Sequence, residues 1–289
     1  MNPIIRHEKK MVLPLQRVRP EKEDTVNLLA LIKQVPDTET QIKLDAGGKG
    51  IQTADIKWVM NPYDEFGVEE ALRIKEKTSG KVTVIGLGPQ RVVESLRTAL
   101  AIGADEAIHI DDPAAEGGDA LATARVLAGA IKEVPFDLIF CGQRAVDDDN
   151  AQVGAALAEL LQVPLLSVIT KVEISEDKTK VKVNRPVEGA TWVLETSLPA
   201  LITAQKGLNE PRYASLPGIM KAKKKPLTAK KLADLGLAPD QAGEAGSKIK
   251  TRVFTSPPDR IPGKLVEGES VQEKGTVLVK LLREEAKII

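Results

Sequence analysis

From residue 26 to residue 170 the chain alternates short runs that are apolar throughout with stretches of helical spacing roughly 12–16 residues long. Strands covered on both faces need no polar alternation, and helical connections let successive strands run parallel. The pattern therefore predicts an α/β fold, a parallel twisted sheet with helices on both faces. Strands are predicted over 26–35, 81–86, 106–110, 136–140 and 164–170, and helices over 62–77, 91–102, 119–134 and 150–161. Pro36 ends the first strand. Phe66, Val68, Ala71, Leu72 and Ile74 fall mostly on one face of the first helix, which Gly80 stops. Residues 178–185 alternate, with Val181 and Val183 on one face, and 191–196 alternate less cleanly. This predicts an antiparallel ribbon added to the parallel sheet. An apolar strand follows over 198–203. About thirty-five residues without a core pattern then precede a last helical pattern over 271–287, and a long irregular arm of this kind is expected to reach across a partner.

Composition removes several function classes. Lys and Arg number 41 against 41 Asp and Glu, so no net charge draws the chain to nucleic acid, and 3 % aromatics provide few platforms for stacking bases. No apolar run approaches the roughly 20 residues of a membrane span, so direct membrane insertion is not expected. One cysteine, Cys141, excludes an internal disulfide framework, and with only His7 and His109 beside it no metal site is expected. Residues 1–25 are polar and proline-punctuated. Their acids, Glu8, Glu21, Glu23 and Asp24, argue against a mitochondrial presequence, so a flexible N-terminal extension is expected.

Parallel sheets bind ligands beyond the carboxyl ends of their strands, which directs attention to four loops. The first carries Lys33, Pro36, Asp37 and Thr38. The second is Gly86-Leu87-Gly88-Pro89, a weak glycine signal that lacks the full dinucleotide fingerprint. The third follows Ile110. The fourth runs Gly142-Gln143-Arg144-Ala145-Val146-Asp147-Asp148-Asp149 into the fourth helix. The three aspartates there serve as helix-capping acids, or they shape a loop around a nucleotide whose phosphate meets free N–H groups near Gln152, Val153 and Gly154. Gly154 is expected to let that ligand approach closely. No Gly-x-Ser-x-Gly elbow, Walker loop or histidine beside a nucleophile is present. His109 reads as a core-edge histidine and Cys141 as a small buried hydrophobe. The residues point to binding without acid–base catalysis. Further on, Lys221, Lys223, Lys224 and Lys225 form a basic cluster behind Leu216-Pro217-Gly218, where Leu216 on a turn suits a docking anchor.

Several strings carry a family resemblance over residues 27–237. They are Met60-Asn61-Pro62-Tyr63, Val68-Glu69-Glu70-Ala71, Ala101-Ile102-Gly103-Ala104-Asp105, Asp147-Asp148-Asp149 with Gln152, and Leu198-Pro199-Ala200-Leu201-Ile202-Thr203. The longest is Leu208-Asn209-Glu210-Pro211-Arg212-Tyr213-Ala214-Ser215-Leu216-Pro217-Gly218-Ile219-Met220-Lys221-Ala222-Lys223-Lys224-Lys225. The chain resembles the beta subunits of electron transfer flavoproteins.

That resemblance implies an adenine nucleotide alpha hydrolase-like fold. It also implies a heterodimer with an alpha subunit that holds most of a shared FAD, and a structural AMP in the beta subunit. Such a carrier takes electrons from acyl-CoA dehydrogenases and related flavoenzymes of fatty acid oxidation and passes them to a membrane quinone oxidoreductase. It works in the cytoplasm, or in the mitochondrial matrix if the source is eukaryotic. Carried over, the AMP site comprises Leu31, Asn61, Pro62, Tyr63, Asp64, Leu87, Gln143, Arg144, Ala145, Val146, Asp147, Asp148, Asp149, Asn150, Ala151, Gln152, Val153 and Gly154. Tyr63 also matches an aromatic position near the flavin. Arg212, Leu216, Lys221 and Lys224 fall to partner docking, within a recognition loop over 212–221. The domain organisation expected is an extension over 1–25, a nucleotide-binding domain over 26–235 and an arm over 236–289 that packs on the alpha subunit.

Departures from the family pattern keep alternatives open. Many AMP-binding members have Asn-Gln-Thr-Gly where this chain has Ala151-Gln152-Val153-Gly154. That string resembles electron-bifurcating relatives, which bind a second FAD in place of AMP, but those tend to have Asp-Gly-Asp at 147–149. Pro186 replaces an acid that helps to attract partners, and Thr38 a tyrosine near the flavin. Outside the family, a stand-alone adenine-nucleotide-binding module is the other class.

Overall fold

The computed structural model describes residues 25–258 and 262–289; the extension expected over 1–25 lies, apart from Thr25, outside the described residues. The chain divides into two compact units, Met1–Lys43 with Gln52–Arg252 and Leu44–Ile51 with Val253–Ile289.

In the first unit, strand β1 (Leu28–Ile32) buries every residue and alternates its side chains between two cores. Leu28, Ala30 and Ile32 enter one, and Leu29 and Leu31 the other. This is the packing a continuous apolar run requires, since neighbouring residues of a strand point to opposite faces. The short strands β2 (Gln34–Pro36) and β3 (Trp58–Met60) pair antiparallel. The expected strand over 26–35 is thus two strands broken at Lys33. Its N–H goes to the Asp64 carboxylate and its carbonyl to Asn61 N–H, which takes it out of the parallel ladder.

Helix α1 (Pro62–Thr78), β4 (Val82–Leu87), α2 (Val92–Ile102), β5 (Glu106–Ile110), α3 (Ala120–Ile131), β6 (Leu138–Gly142), α4 (Val153–Leu161) and β7 (Leu165–Ile169) follow in order. Strands β8 (Lys171–Ile174), β9 (Lys180–Val187) and β10 (Ala190–Ser197) come next, then β11 (Ala200–Ala204), helix α5 (Leu216–Ala222) and β12 (Leu227–Lys230). The main sheet has seven parallel strands in the order β12-β5-β4-β1-β6-β11-β7. Helices α1 and α2 cover one face; α3 and α4 cover the other.

The ribbon expected as an addition to this sheet is instead a separate three-stranded antiparallel sheet, β10-β9-β8. Its inward Val181 and Val183 are buried in the same core as Leu166 and Ile169 of β7, against which β9 packs, and no strand ladder joins the two sheets. Within the expected domain over 26–235, β12 pairs with β5 at the sheet edge and Leu232 is buried. The segment after it, expected to carry no core pattern, also contributes to the first unit: Ala242 is buried, with the single turn α6 (Gly243–Gly246) alongside. In the second unit, Phe254 N–H donates to Gly48 O at 2.7 Å. There, helix α7 (Val271–Lys280) is capped by Ser270 and buries none of its residues.

Candidate nucleotide cleft and docking helix

The sheet order reverses at β1. The chain fills positions on one side of it through β4 and β5, then crosses to β6. A crevice opens at such a reversal, outside the carboxyl ends of the strands. The structure places a cleft there of about 210 Å³, walled by Leu31, Ile32 and Lys33 at the end of β1, Leu87 at the end of β4, and Cys141 and Gly142 at the end of β6.

Of the residues expected at a nucleotide site, Leu31, Asn61, Asp64, Leu87, Gln143, Arg144, Ala145, Asp148, Asn150, Ala151, Gln152, Val153 and Gly154 line this cleft. The others stand behind it. Pro62 opens α1. Val146 donates its N–H to Asn61 Oδ1 at 3.2 Å, and Asp147 and Asp149 pair with Lys33 and Arg144. Tyr63 sits beneath Arg144, whose Nη2 donates to its hydroxyl at 2.9 Å, with the guanidinium 5.2 Å from the ring centroid. Lys33 and Gly142, named in the first and fourth loops but not assigned to the nucleotide, also line it, and sequence reasoning missed Ile32, Thr123, Leu127 and Cys141. Thr123 and Leu127 were legible in principle, because Asp119, the N-cap of α3, fixes which end of that helix meets the strand termini.

Three polar devices shape the cleft. Asp64, buried in the first turn of α1, accepts Lys33 N–H at 2.8 Å and Gly142 N–H at 2.7 Å, tying the ends of β1 and β6 together. Burial pushes its carboxyl up to about 6, and these hydrogen bonds only partly oppose the rise. Gly142 has to be glycine, since a Cβ there would come within 2.5 Å of Asp64 Oδ1 and 2.7 Å of Tyr63 Cβ. Asn61 accepts from Val146 N–H and donates to Arg144 O at 2.9 Å, which pins the 144–146 loop. Lys33 Nζ bridges Asp147 at 2.8 Å and Asp148 at 3.2 Å. Burial opposes its charge, but these two acids together outweigh that and raise its pKa.

The helix expected from residue 150 begins at Val153. The preceding loop holds Asp149 and Ala151 at φ 54°, a left-handed conformation that Gly, Asn and Asp enter more readily than Ala does. Gln152 gives α4 no side-chain cap, so the first N–H groups of that helix, which intrahelical bonds leave unpaired, border the cleft. Gln143 Oε1 and Arg144 Nε are shielded from solvent with no hydrogen-bond partner among the described residues. Gly154, expected to make room for a ligand, also has a packing reason to be glycine. A Cβ there would meet Thr203 Cγ2 at 2.9 Å and Cys141 Sγ at 3.0 Å, so the glycine lets α4 sit against β11 and β6. Cys141 is buried, and burial followed by the nearby Asp64 charge raises its thiol pKa far above the ordinary value. His109 is buried, with Nε2 2.8 Å from Gly88 O.

On another part of this unit Leu216 opens α5 and is 74 % exposed, beside Tyr213 at 98 % and the exposed Ile219 and Met220. Pro217 and Gly218 form the first turn of a helix instead of a free turn, with Ser215 Oγ accepting Gly218 N–H at 3.2 Å. The basic cluster divides. Lys221, Lys223 and Lys224 are exposed, whereas Lys225 Nζ turns inward to Leu100 O and Ala104 O at the C-terminal end of α2. Arg212 is engaged within the chain, by Glu69 and Glu76 of α1.

The electron transfer flavoprotein domain family matches residues 49–235. The chain is 45 % identical to an electron transfer flavoprotein subunit beta of Bacillus subtilis, over 91 % of this chain and 100 % of the relative. It is 40 % identical to the mouse electron transfer flavoprotein subunit beta, over 83 % of this chain and 92 % of the relative. It is 38 % identical to the caffeyl-CoA reductase–Etf complex subunit CarD of Acetobacterium woodii, over 90 % of this chain and 98 % of the relative.

Proposed function

The chain belongs to the electron transfer flavoprotein family, in its beta-subunit branch, and from that premise we propose that it pairs with an alpha subunit as a heterodimeric electron carrier holding a structural AMP in the cleft. The observation that carries the AMP reading is the uncapped start of α4 at the cleft wall. Its free N–H groups and the positive end of the helix dipole suit a phosphate. Leu31, Leu87 and Leu127 offer apolar walls for a base, and the unpartnered Gln143 Oε1 offers an acceptor for an amino group.

A FAD shared with the alpha subunit supplies the redox chemistry. This chain contributes the surface against which that subunit packs, including the arm over 236–289, and the docking helix. The electron donors are acyl-CoA dehydrogenases and related flavoenzymes, which meet exposed Leu216 with Lys221 and Lys224 at its rim. The acceptor is a membrane quinone oxidoreductase, reached without insertion of this chain. Among the described residues no helix is long and apolar enough to cross a membrane. The expected setting is the cytoplasm, or the mitochondrial matrix in a eukaryote.

A second reading, FAD in the cleft and electron bifurcation, draws support from the hydroxyl-free Ala151 and Val153 on its wall. Acid extraction of the co-purified heterodimer, with nucleotides identified by mass and absorbance, tests both. One AMP and one FAD per heterodimer supports the first reading. Two FAD without AMP supports the second. FAD alone, at one equivalent, removes the cleft from nucleotide binding.

A further inference from the structure

The segment that leads into Leu216 is fastened to α1 by a buried charge cluster. Glu69, 2 % exposed at its side chain, accepts from Arg212 Nε at 2.8 Å, Arg212 Nη2 at 3.1 Å, the Arg212 backbone N–H at 3.2 Å and Arg73 Nε at 2.7 Å. Arg212 reaches Glu76, two turns along the same helix, with its remaining Nη1. Three residues upstream, Asn209 Nδ2 donates to Phe66 O at 3.0 Å and to Glu70 Oε2 at 2.9 Å. A carboxylate as buried as Glu69 is tolerated only when its charge is paired and its lone pairs are filled. Arg212 provides three of those four bonds.

Beyond Leu216 the far end of α5 is held separately. Arg97 on α2 donates to the carbonyls of Ala222 at 2.6 Å and Lys225 at 2.9 Å. The short helix is therefore clamped at both ends while Leu216, Ile219 and Met220 stay exposed. A single apolar plug binds well only if it is already in place, because ordering a loose segment on contact costs free energy that a small interface does not recover.

We propose that Arg212, locked onto Glu69, is a positioning residue that holds the Leu216 helix in its docking geometry, and that it is not itself a charge offered to the partner. The proposal rests on the docking reading of Leu216 above. It differs from a charge-steering role in a way that substitution reveals. Lysine keeps the charge but lacks the planar fork that fills both Glu69 oxygens, and Glu69 is too buried to touch any partner.

The test uses the FAD-loaded heterodimer, with an acyl-CoA dehydrogenase reduced by its acyl-CoA substrate as the electron donor and flavin reduction as the readout. If the docking-competent conformer falls to about a fifth of the population, the apparent affinity falls by the same factor, so KM for the dehydrogenase should rise about fivefold. Arg212→Lys and Glu69→Gln should each show this, with kcat and flavin content retained and faster backbone hydrogen exchange confined to residues 208–222. Glu76→Gln, at an exposed partner, serves as a milder variant should Glu69→Gln fold poorly, and should shift KM in the same direction. Leu216→Ala is the control for docking itself. If Leu216→Ala raises KM while Arg212→Lys and Glu76→Gln leave it unchanged, the positioning role is overturned and docking stands. If KM is unchanged in all of them, docking through this helix fails and the positioning role with it. A loss of activity that only tracks lost flavin and a lower unfolding midpoint also overturns it.

Discussion

Gly142 N–H points at Asp64 Oδ1 from 2.7 Å, and the other oxygen of the same carboxylate holds Lys33 N–H, so one buried acid joins the carboxyl ends of two neighbouring strands. Its carboxyl is pushed up by burial to about 6 from an ordinary 3.8. Between these values the folded chain keeps a proton that the unfolded chain has lost. The contribution of Asp64 is therefore most favourable below pH 4 and declines as pH rises through 6, by roughly 3 kcal/mol in total. Asp64→Asn removes this titration while leaving its amide nitrogen facing one N–H donor. The variant should be less stable than the parent near pH 4 and regain ground as pH rises past 6. Urea midpoints of both proteins at pH 4.5 and 7.5 decide the matter; a difference that stays constant with pH refutes it.

Helix α4 tolerates no side chain at its second residue. Gly154→Ala places a methyl group within about 3 Å of Thr203 and Cys141, and overpacking of this kind costs typically 1–3 kcal/mol. The unfolding midpoint should drop for Ala and further for Val, whether or not nucleotide is bound. If the midpoint falls only when nucleotide is present, the glycine serves the ligand and the packing account is wrong.

The features legible in sequence were those that repeat. β1, β4 and β6 are largely apolar on both faces because both faces are covered, and α1 and α2 show their buried stripes. Elements too short to carry a period were lost. β2 and β3 have three residues each, and β12, Leu227–Lys230, is half polar because it is an edge strand. The loops of the cleft were found because a parallel sheet fixes where its strands end. The bonds across the cleft were not, since Asp64 and Gly142 lie 78 positions apart and Glu69 and Arg212 lie 143 apart. In the same way, the arginine was visible as a charge, but its buried partner was not. The late start of α4 follows from Ala151, a good helix former held at φ 54° by the loop around it, against its own propensity.

Ala151 gives a third test. An alanine in the left-handed region costs roughly 1–2 kcal/mol relative to glycine, which enters it freely. Ala151→Gly should therefore raise stability by up to about 1 kcal/mol, after the greater entropy of glycine in the unfolded chain is deducted. Ala151→Val, β-branched and worse in that conformation, should lower it. Thermal midpoints of the three proteins in one buffer provide the measurement, and the reverse order would show that the loop relaxes out of this conformation.

The exposure of Leu216 makes the docking test cleaner than it is for a buried residue. At 74 % exposed, its side chain contributes little to the core of this unit, so Leu216→Ala should leave the unfolding midpoint and the flavin content where they are. Burying a leucine against a partner contributes roughly 1.5–3 kcal/mol, and most of that disappears with alanine, so the dehydrogenase complex should weaken about tenfold. The loss should appear as faster dissociation, because short-range apolar contact acts after encounter. Lys221 and Lys224, exposed on the same helix and just after it, should act earlier. Replacing both by Gln should lower the association rate and flatten its dependence on ionic strength, with dissociation little changed. Stopped-flow reduction of the flavin by a reduced dehydrogenase, followed at several salt concentrations, separates the two. A Leu216→Ala protein that dissociates at the parental rate, or a double lysine variant with undiminished salt dependence, would remove α5 as the place where electron donors dock.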